Sequence, residues 1–264
     1  RSRRAATSET ATVFNDGEVN VSAVGKAVTG GVGAVPDYAF SQAVGAGQIV
    51  AGDSVIGYVT NATDGTFTVR ATASATGGST LYDQNAFGRA TGVYQELVGD
   101  DAAGYVNNDG TIDVGIHASA SSLHRDAFAE GDGGGVRQVA QSVASGDVSV
   151  TAVNDGQIGV NIYATAVGPQ YHAASAHAYA YGVMQRAETD AGDATADLTN
   201  TSMESIDVSA TAYAVGSSPH ADAFATGASQ DAVSLSGSAA AVVDNSGRIS
   251  VAAYATASGT SHPE

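Results

Sequence analysis

The chain has 264 residues, no cysteine, 33 glycines and a formal net charge of −17. This charge argues against nucleic acid and anionic membrane surfaces as partners, because both are bound by basic patches. The absence of cysteine excludes disulfides and thiolate metal sites, and no apolar run reaches the roughly 18–20 residues of a membrane-inserted helix.

A turn signal followed by alternating small and apolar residues recurs along the chain. Its clearest copies begin with Asn-Asp-Gly and cover residues 108–120 and 154–166. The first apolar residues of six successive copies are separated by 48, 45, 46, 48 and 43 residues, and they are Val19, Phe67, Ile112, Ile158, Ile206 and Ile249. A period of this size predicts a repeat array.

The repeat fixes the expected domain organisation. Residues 1–14 are predicted to be a polar lead-in, and residues 15–264 a single repeat array. Its repeats are expected to start near residues 15, 63, 108, 154, 200 and 245.

Each repeat contains three strand-like segments. The first follows the Asn-Asp-Gly turn, the second carries an Asp-Ala-Phe-like signature, and the third is variable, as in Ile49 to Tyr58 and Leu97 to Val106. Period-two alternation predicts strand throughout. The glycine-rich run 131–135 is interpreted as a flexible corner.

Three strands per repeat fit two assemblies. In a β-solenoid, each repeat forms one coil, or two coils of about half the period, and equivalent strands stack in parallel. In a meander, Asn-Asp-Gly would be a hairpin turn, and neighbouring repeats would be inverted, so their similar residues would not meet. We therefore predict an all-β protein, a β-solenoid of about five to six repeats of 43–48 residues.

Stacked coils place equivalent side chains about 4.8 Å apart, a spacing that favours ladders of amides. The predicted amide ladder contains Asn15, Asn108, Asn154, Asn200 and Asn245. A predicted aromatic column, expected to supply most of the conventional hydrophobic burial, contains Phe40, Phe87, Phe128, Tyr179 and Phe224.

The turns also carry a column of carboxylates, formed by Asp16, Asp64, Asp109 and Asp155. Stacked carboxylates repel one another unless they are splayed, hydrated or bridged by a hard cation with oxygen ligands. The pattern predicts no cofactor other than calcium at these turns, and ordinary turn chemistry is the alternative. Further acidic pairs lie at Asp100-Asp101 and at Asp190 with Asp193.

Other candidate chemistry is weaker. His124 and His220 each precede an aspartate by two residues and are interpreted as equivalent corners, with His172 and His177 in the corresponding region of the fourth repeat. A column of histidines could bind a transition metal or respond to mild acid, but without cysteine or a regular spacing we interpret them as surface corner residues. The sequence contains neither a Gly-x-Ser-x-Gly elbow nor a phosphate-binding loop. These observations predict that the protein is not an enzyme.

The repeat Asn-Asp-Gly-x-Ile-x-Val-x-Ala-x-Ala-x-Ala resembles those of very large secreted adhesins and autotransporter passengers of Gram-negative bacteria. The resemblance covers nearly the whole chain from about residue 15. It implies a repetitive β-solenoid that is extracellular or on the cell surface, with a structural or adhesive role. It carries over no site residue.

These observations lead to a functional hypothesis. The sequence predicts a structural, non-catalytic protein that forms a filament or surface stalk, as a homo-polymer joined through the strand edges at both ends. Surface glycans are the expected external partners. The alternative is a carbohydrate-binding or carbohydrate-cleaving β-helix, which a pronounced groove with clustered acids and aromatics would support.

Overall fold

A computed structural model describes residues 8–29, 37–78, 81–142 and 144–259. All regular elements in these ranges are strands, arranged in three parallel sheets. Sheet A contains β1 (Ser8–Asn15), β4 (Ser54–Asn61), β7 (Asp101–Asn108), β10 (Val148–Asn154), β13 (Ala194–Asn200) and β16 (Ala239–Asn245). Sheet B contains β2 (Glu18–Thr29), β5 (Thr66–Gly77), β8 (Thr111–Ser122), β11 (Gln157–Val167), β14 (Ser205–Gly216) and β17 (Arg248–Gly259). Sheet C contains β3 (Asp37–Ala51), β6 (Gln84–Gly99), β9 (Ala127–Ser142), β12 (Ala173–Thr189) and β15 (Ser218–Ser234).

The chain passes through sheets A, B and C in turn and then repeats the circuit. Each strand pairs in parallel with the strand three places later in the chain. The β-solenoid is therefore confirmed, with one coil per repeat. A meander is excluded in the described part of the chain because its strand pairs would be antiparallel.

The apolar residues that mark the repeat lie opposite one another in one row of sheet B. Val19 pairs with Phe67, and the row continues through the four isoleucines to Ile249. Ile112 and Ile206 are fully buried. The rest of the interior consists mainly of valine and alanine, with Leu97 and Leu198.

Several boundaries differ from those predicted. The third segment is cut by a turn, since β3 runs to Ala51 and β4 starts at Ser54, so Ile49 to Tyr58 is not one strand. The same happens at Asp100 within Leu97 to Val106. Of the predicted lead-in, residues 8–14 lie in β1, and residues 1–7 lie outside the described residues. The turns between β3 and β4 and at Asp100 lack the Asn-Asp-Gly signal, which is why the sequence pattern did not reveal them.

A column of glycines runs through the middle of sheet C, at Gly45, Gly92, Gly135, Gly182 and Gly227. A Cβ atom on Gly92 would lie 2.3 Å from Ile112 Cγ2 of sheet B. The column therefore lets the backbone of sheet C touch the isoleucine row. It also corrects the interpretation of residues 131–135, which lie within β9 and not at a corner.

We predict that Gly182→Ala destabilises the protein by about 3 kcal/mol, because the new methyl group overpacks the core. Its Cβ would lie 2.3 Å from the Gly227 carbonyl oxygen and 2.4 Å from Ile206 Cγ2, so backbone must move. The measurement is the urea midpoint, followed by circular dichroism.

Gly159→Ala is the matched control, on the outer side of β11. Its Cβ would have no neighbour closer than 3.8 Å, and its backbone is in no strained region. The change should be neutral or slightly stabilising, because alanine reduces the conformational freedom of the unfolded chain. Equal midpoints for the two variants would show that the glycine column is not under packing constraint.

Candidate functional site

A ladder of asparagine side chains, buried in every coil but the last, closes the corner between sheets A and B. Each Nδ2 donates to the Oδ1 of the asparagine in the following coil, over 2.7–2.8 Å. The ladder consists of Asn15, Asn61, Asn108, Asn154, Asn200 and Asn245. Asn61 is absent from the predicted ladder because Ala62 and Thr63 separate it from its Asp-Gly turn. Its place as the last residue of β4 is the signal that would have found it.

A second ladder, of glutamines, lies between sheets C and A, and none of its members is among the residues predicted from the sequence. Each Nε2 donates to the Oε1 of the glutamine in the preceding coil, over 2.7–2.9 Å. The ladder consists of Gln48, Gln95, Gln138, Gln185 and Gln230. The same Nε2 atoms reach carbonyl oxygens of sheet A, as from Gln185 to Asp197 over 2.9 Å. The two ladders donate in opposite directions along the solenoid, and the recurrence of glutamine near the repeat period is the signal for the second.

Asn108→Ala should lower stability by about 2–3 kcal/mol, because the neighbouring amides lose a buried donor and a buried acceptor. Asn108 is 1% exposed. Asn161→Ala is the matched control, since Asn161 is exposed on β11. Urea midpoints measure both changes, and a loss for Asn161→Ala as large as that for Asn108→Ala would contradict a special role for the ladder.

The turn aspartates lie beside the asparagine ladder. Asp16, Asp64 and Asp155 are exposed, while Asp109 is half-buried and accepts a hydrogen bond from Asn107 Nδ2 at 3.0 Å. None of the four belongs to the group of three metal-ligating side chains found in the described ranges. Calcium at these turns stays a prediction.

At the other acidic turns, carboxylates accept hydrogen bonds from backbone N–H groups of the following coil. The Asp101 side chain accepts the Asp147 N–H at 3.1 Å, and the Asp147 side chain accepts the Asp193 N–H at 2.9 Å. Asp193 in turn accepts the Ser238 N–H at 2.8 Å. These carboxylates therefore join successive coils at the corner between sheets C and A.

The predicted aromatic column is divided among neighbouring rows on the outer face of sheet C. Phe40 pairs with Phe87, and Tyr179 pairs with Phe224, whereas Phe128 is offset from Phe87 by two residues. The turns before the sheet C strands differ in length, for example residues 123–126 against residues 168–172. A motif alignment therefore does not reproduce the spatial register. The expected burial is also wrong, because Phe40 is 43% and Phe224 52% exposed.

A different column of rings forms on this face. Ring centroids are 4.9 Å apart for Tyr38 and Phe87, and 5.3 Å for Phe87 and Phe128. The column continues from Phe128 to His177 at 5.3 Å and from His177 to His220 at 5.5 Å. The solenoid thus carries a zigzag stripe of five rings, which alternates between two neighbouring rows of sheet C and ends in two imidazoles.

These two imidazoles meet a carboxylate. Asp222 pairs directly with His177 across β12 and β15, and its Oδ2 lies 3.3 Å from His177 Nδ1 and 2.8 Å from His220 Nε2. Both histidines lie within strands, which corrects the expectation that they are corner residues. His220 occupies the row of Phe128 and Ser175, so it is not equivalent to His124.

A groove of about 460 Å³ opens on sheet C beside this stripe. Its charged and aromatic lining is Arg89, Tyr94, Asp132, Arg137 and Tyr181. Burial raises the pKa of Asp132, and the guanidinium groups of Arg89 and Arg137 oppose that rise. Arg137 also lies 5.6 Å from the centre of the Tyr94 ring, within cation–π range.

No known protein family, curated protein or solved structure matches this chain. Among the described residues, none forms a helix of the length and apolar character needed to cross a membrane.

Proposed function

We propose that this protein is a non-catalytic structural shaft that lengthens when a second copy stacks on its end. The observation that carries the proposal is the complementarity of the faces formed by β1, β2 and β3 and by β15, β16 and β17. All three sheets end at these faces with strand edges parallel to those within the shaft.

The face formed by β15, β16 and β17 exposes residues that are core residues in every inner coil. Val243 is 47% exposed, whereas Leu198, its partner in the preceding coil, is 1% exposed. Val251 is 47% exposed against 3% for its partner Val208. A further coil would bury these side chains and supply the hydrophobic gain that the inner coils already have.

The amide ladders match across such a junction. The asparagine ladder ends with Asn245 Nδ2 as a donor at one face and with Asn15 Oδ1 as an acceptor at the other face. In the glutamine ladder the order is reversed, since Gln230 offers the next acceptor and Gln48 the next donor. A second copy in the same orientation would continue both ladders, but an inverted copy would place donor against donor.

The shaft is proposed to lie outside the cell or on its surface. Its repeat resembles those of secreted adhesins and autotransporter passengers, and this supports a place outside the cell or on its surface, with glycans as partners.

The shaft is proposed to be non-catalytic although Ser175 Oγ lies 3.1 Å from His177 Nε2, next to Asp222. Strand β12 lies between β9 and β15, so its ladder engages the backbone N–H groups that an oxyanion hole would need.

The assembly test compares the Val243→Lys variant with the unaltered protein. Electron microscopy and analytical ultracentrifugation follow both proteins over micromolar concentrations. The unaltered protein should form unbranched fibres, and the lysine should prevent them by placing a charge in the junction. Addition of a calcium chelator to the unaltered protein tests separately whether calcium at the turns contributes.

Tyr213→Lys is the matched control, because Tyr213 is 41% exposed on the outer face of β14, an inner strand of sheet B. It should assemble like the unaltered chain. Monomers of the unaltered protein at every concentration, or equal inhibition by the two lysines, would contradict end-to-end assembly.

The groove favours a second candidate function, the binding of an acidic carbohydrate. Tyr94 and Tyr181 offer ring faces for a sugar, and Arg89 and Arg137 offer donors for a carboxylate or sulfate group. This ligand class follows from the presence of two guanidinium groups beside one carboxylate whose pKa is raised.

A glycan array with the unaltered chain and Arg137→Gln tests this candidate. Binding of uronic-acid or sulfated glycans should fall at least tenfold in the variant, which loses a charge-assisted contact of roughly 1.5–3 kcal/mol. Arg248→Gln is the control, since Arg248 pairs with Asp207 on β14, outside the groove lining. Equal binding by both variants would remove the groove from consideration.

A further inference from the structure

Two imidazoles and one carboxylate converge on the outer face of sheet C, next to the edge strand β15 of the described sheet. The ligand atoms of His177, His220 and Asp222 all lie within 4.8 Å of one another. The described residues hold one such group of three. We propose that these three side chains bind a divalent transition-metal ion of the zinc class.

The spacing fits a tetrahedral ion. With metal–ligand bonds of about 2.0–2.1 Å, tetrahedral ligand atoms are separated by about 3.3 Å. His177 Nδ1 and Asp222 Oδ2 are 3.3 Å apart, which matches this separation. His220 Nε2 makes a hydrogen bond of 2.8 Å to the same oxygen, so this contact has to lengthen by about 0.5 Å when an ion replaces the proton. Three protein ligands leave the fourth position of the ion to water or to an exogenous group.

The register of sheet C explains why the three groups meet. His177 and Asp222 are directly opposite on neighbouring parallel strands, and His220 precedes Asp222 by two residues on the same face. All three positions are therefore set by the backbone ladder and not by a loop. Such a site requires little reorganisation of the chain to bind an ion.

The contacts around His177 suit a metal ligand. Its Nε2 lies 3.1 Å from Ser175 Oγ, so with Nδ1 on the ion the Nε2–H would donate to this hydroxyl. A partner on the second nitrogen fixes the tautomer and the orientation of a ligating imidazole. The Phe128 ring, 5.3 Å away, further restricts the imidazole.

The composition of the group selects the class of ion. Imidazole nitrogens suit zinc, copper and nickel, whereas calcium and magnesium prefer oxygen ligands. This site is thus distinct from the calcium predicted at the turns, and it does not depend on end-to-end assembly of the shaft.

A nearby histidine–aspartate pair provides an internal comparison. His172 Nδ1 lies 3.4 Å from Asp126 Oδ1 at the corner between sheets B and C, but no second imidazole of the described residues joins them. Two ligands bind an ion more weakly than three, so a zinc titration should distinguish the pair from the group of three.

The experiment is isothermal titration of Zn²⁺ into the full chain, prepared without a polyhistidine tag, in excess Ca²⁺ to occupy ordinary surface carboxylates. We expect one zinc ion per chain. His220→Ala should weaken binding at least tenfold without loss of fold, because the His220 side chain is 63% exposed. Ser175→Ala should weaken it by about tenfold, as expected for the partner of a ligating imidazole, and His172→Ala should leave it unchanged.

Substitution with Co²⁺ gives an independent readout of the ligands. A tetrahedral visible spectrum that is present in the unaltered chain and lost in Asp222→Asn would support the site. Zinc affinity that is unchanged in His220→Ala, or reduced as much by His172→Ala, would overturn it. Circular dichroism of each variant ensures that the comparison is made between folded proteins.

Discussion

The structure depends on the stacking of identical side chains in a fixed parallel register. A buried amide without partners costs free energy, so each asparagine and glutamine of the two ladders requires its equivalent in the next coil. A slip of one residue in any sheet would turn these side chains to the opposite face. The ladders therefore fix the register of the three sheets together, and with it every other row on the shaft.

The interior compensates for its small side chains by close approach. Alanine and valine contribute little transfer free energy per residue compared with leucine or phenylalanine. The glycine column removes a layer of Cβ atoms from sheet C, and the isoleucine row of sheet B then packs directly on its backbone. A thin core of this kind is stabilised by dispersion contacts and continuous hydrogen-bond ladders over the whole length of the solenoid.

The outer faces are free of these constraints, and there the coils differ. On sheet C the row that contains Phe87 also contains Glu130, His177 and Asp222. This variation produces the ring stripe, the groove and the cluster of imidazoles on one face. A regular interior thus supports an outer surface whose chemistry changes from coil to coil, which suits a structural shaft that also presents binding sites.

The sequence by itself determined the repeat, the strand content and the parallel stacking, because a fixed period with alternating residues leaves few other ways to bury its small apolar side chains. It also pointed to five of the six asparagines, since these stand in or beside recognisable turns. Only the tertiary structure decided which residues share a row. Turns of different length precede the strands of sheet C, so Phe128 lies opposite His220 and Ser175 in the stack and not opposite Phe224. The glutamine ladder, the groove and the meeting of His177 with Asp222 all depend on that register, which is set by hydrogen bonds between coils and not by any local sequence signal.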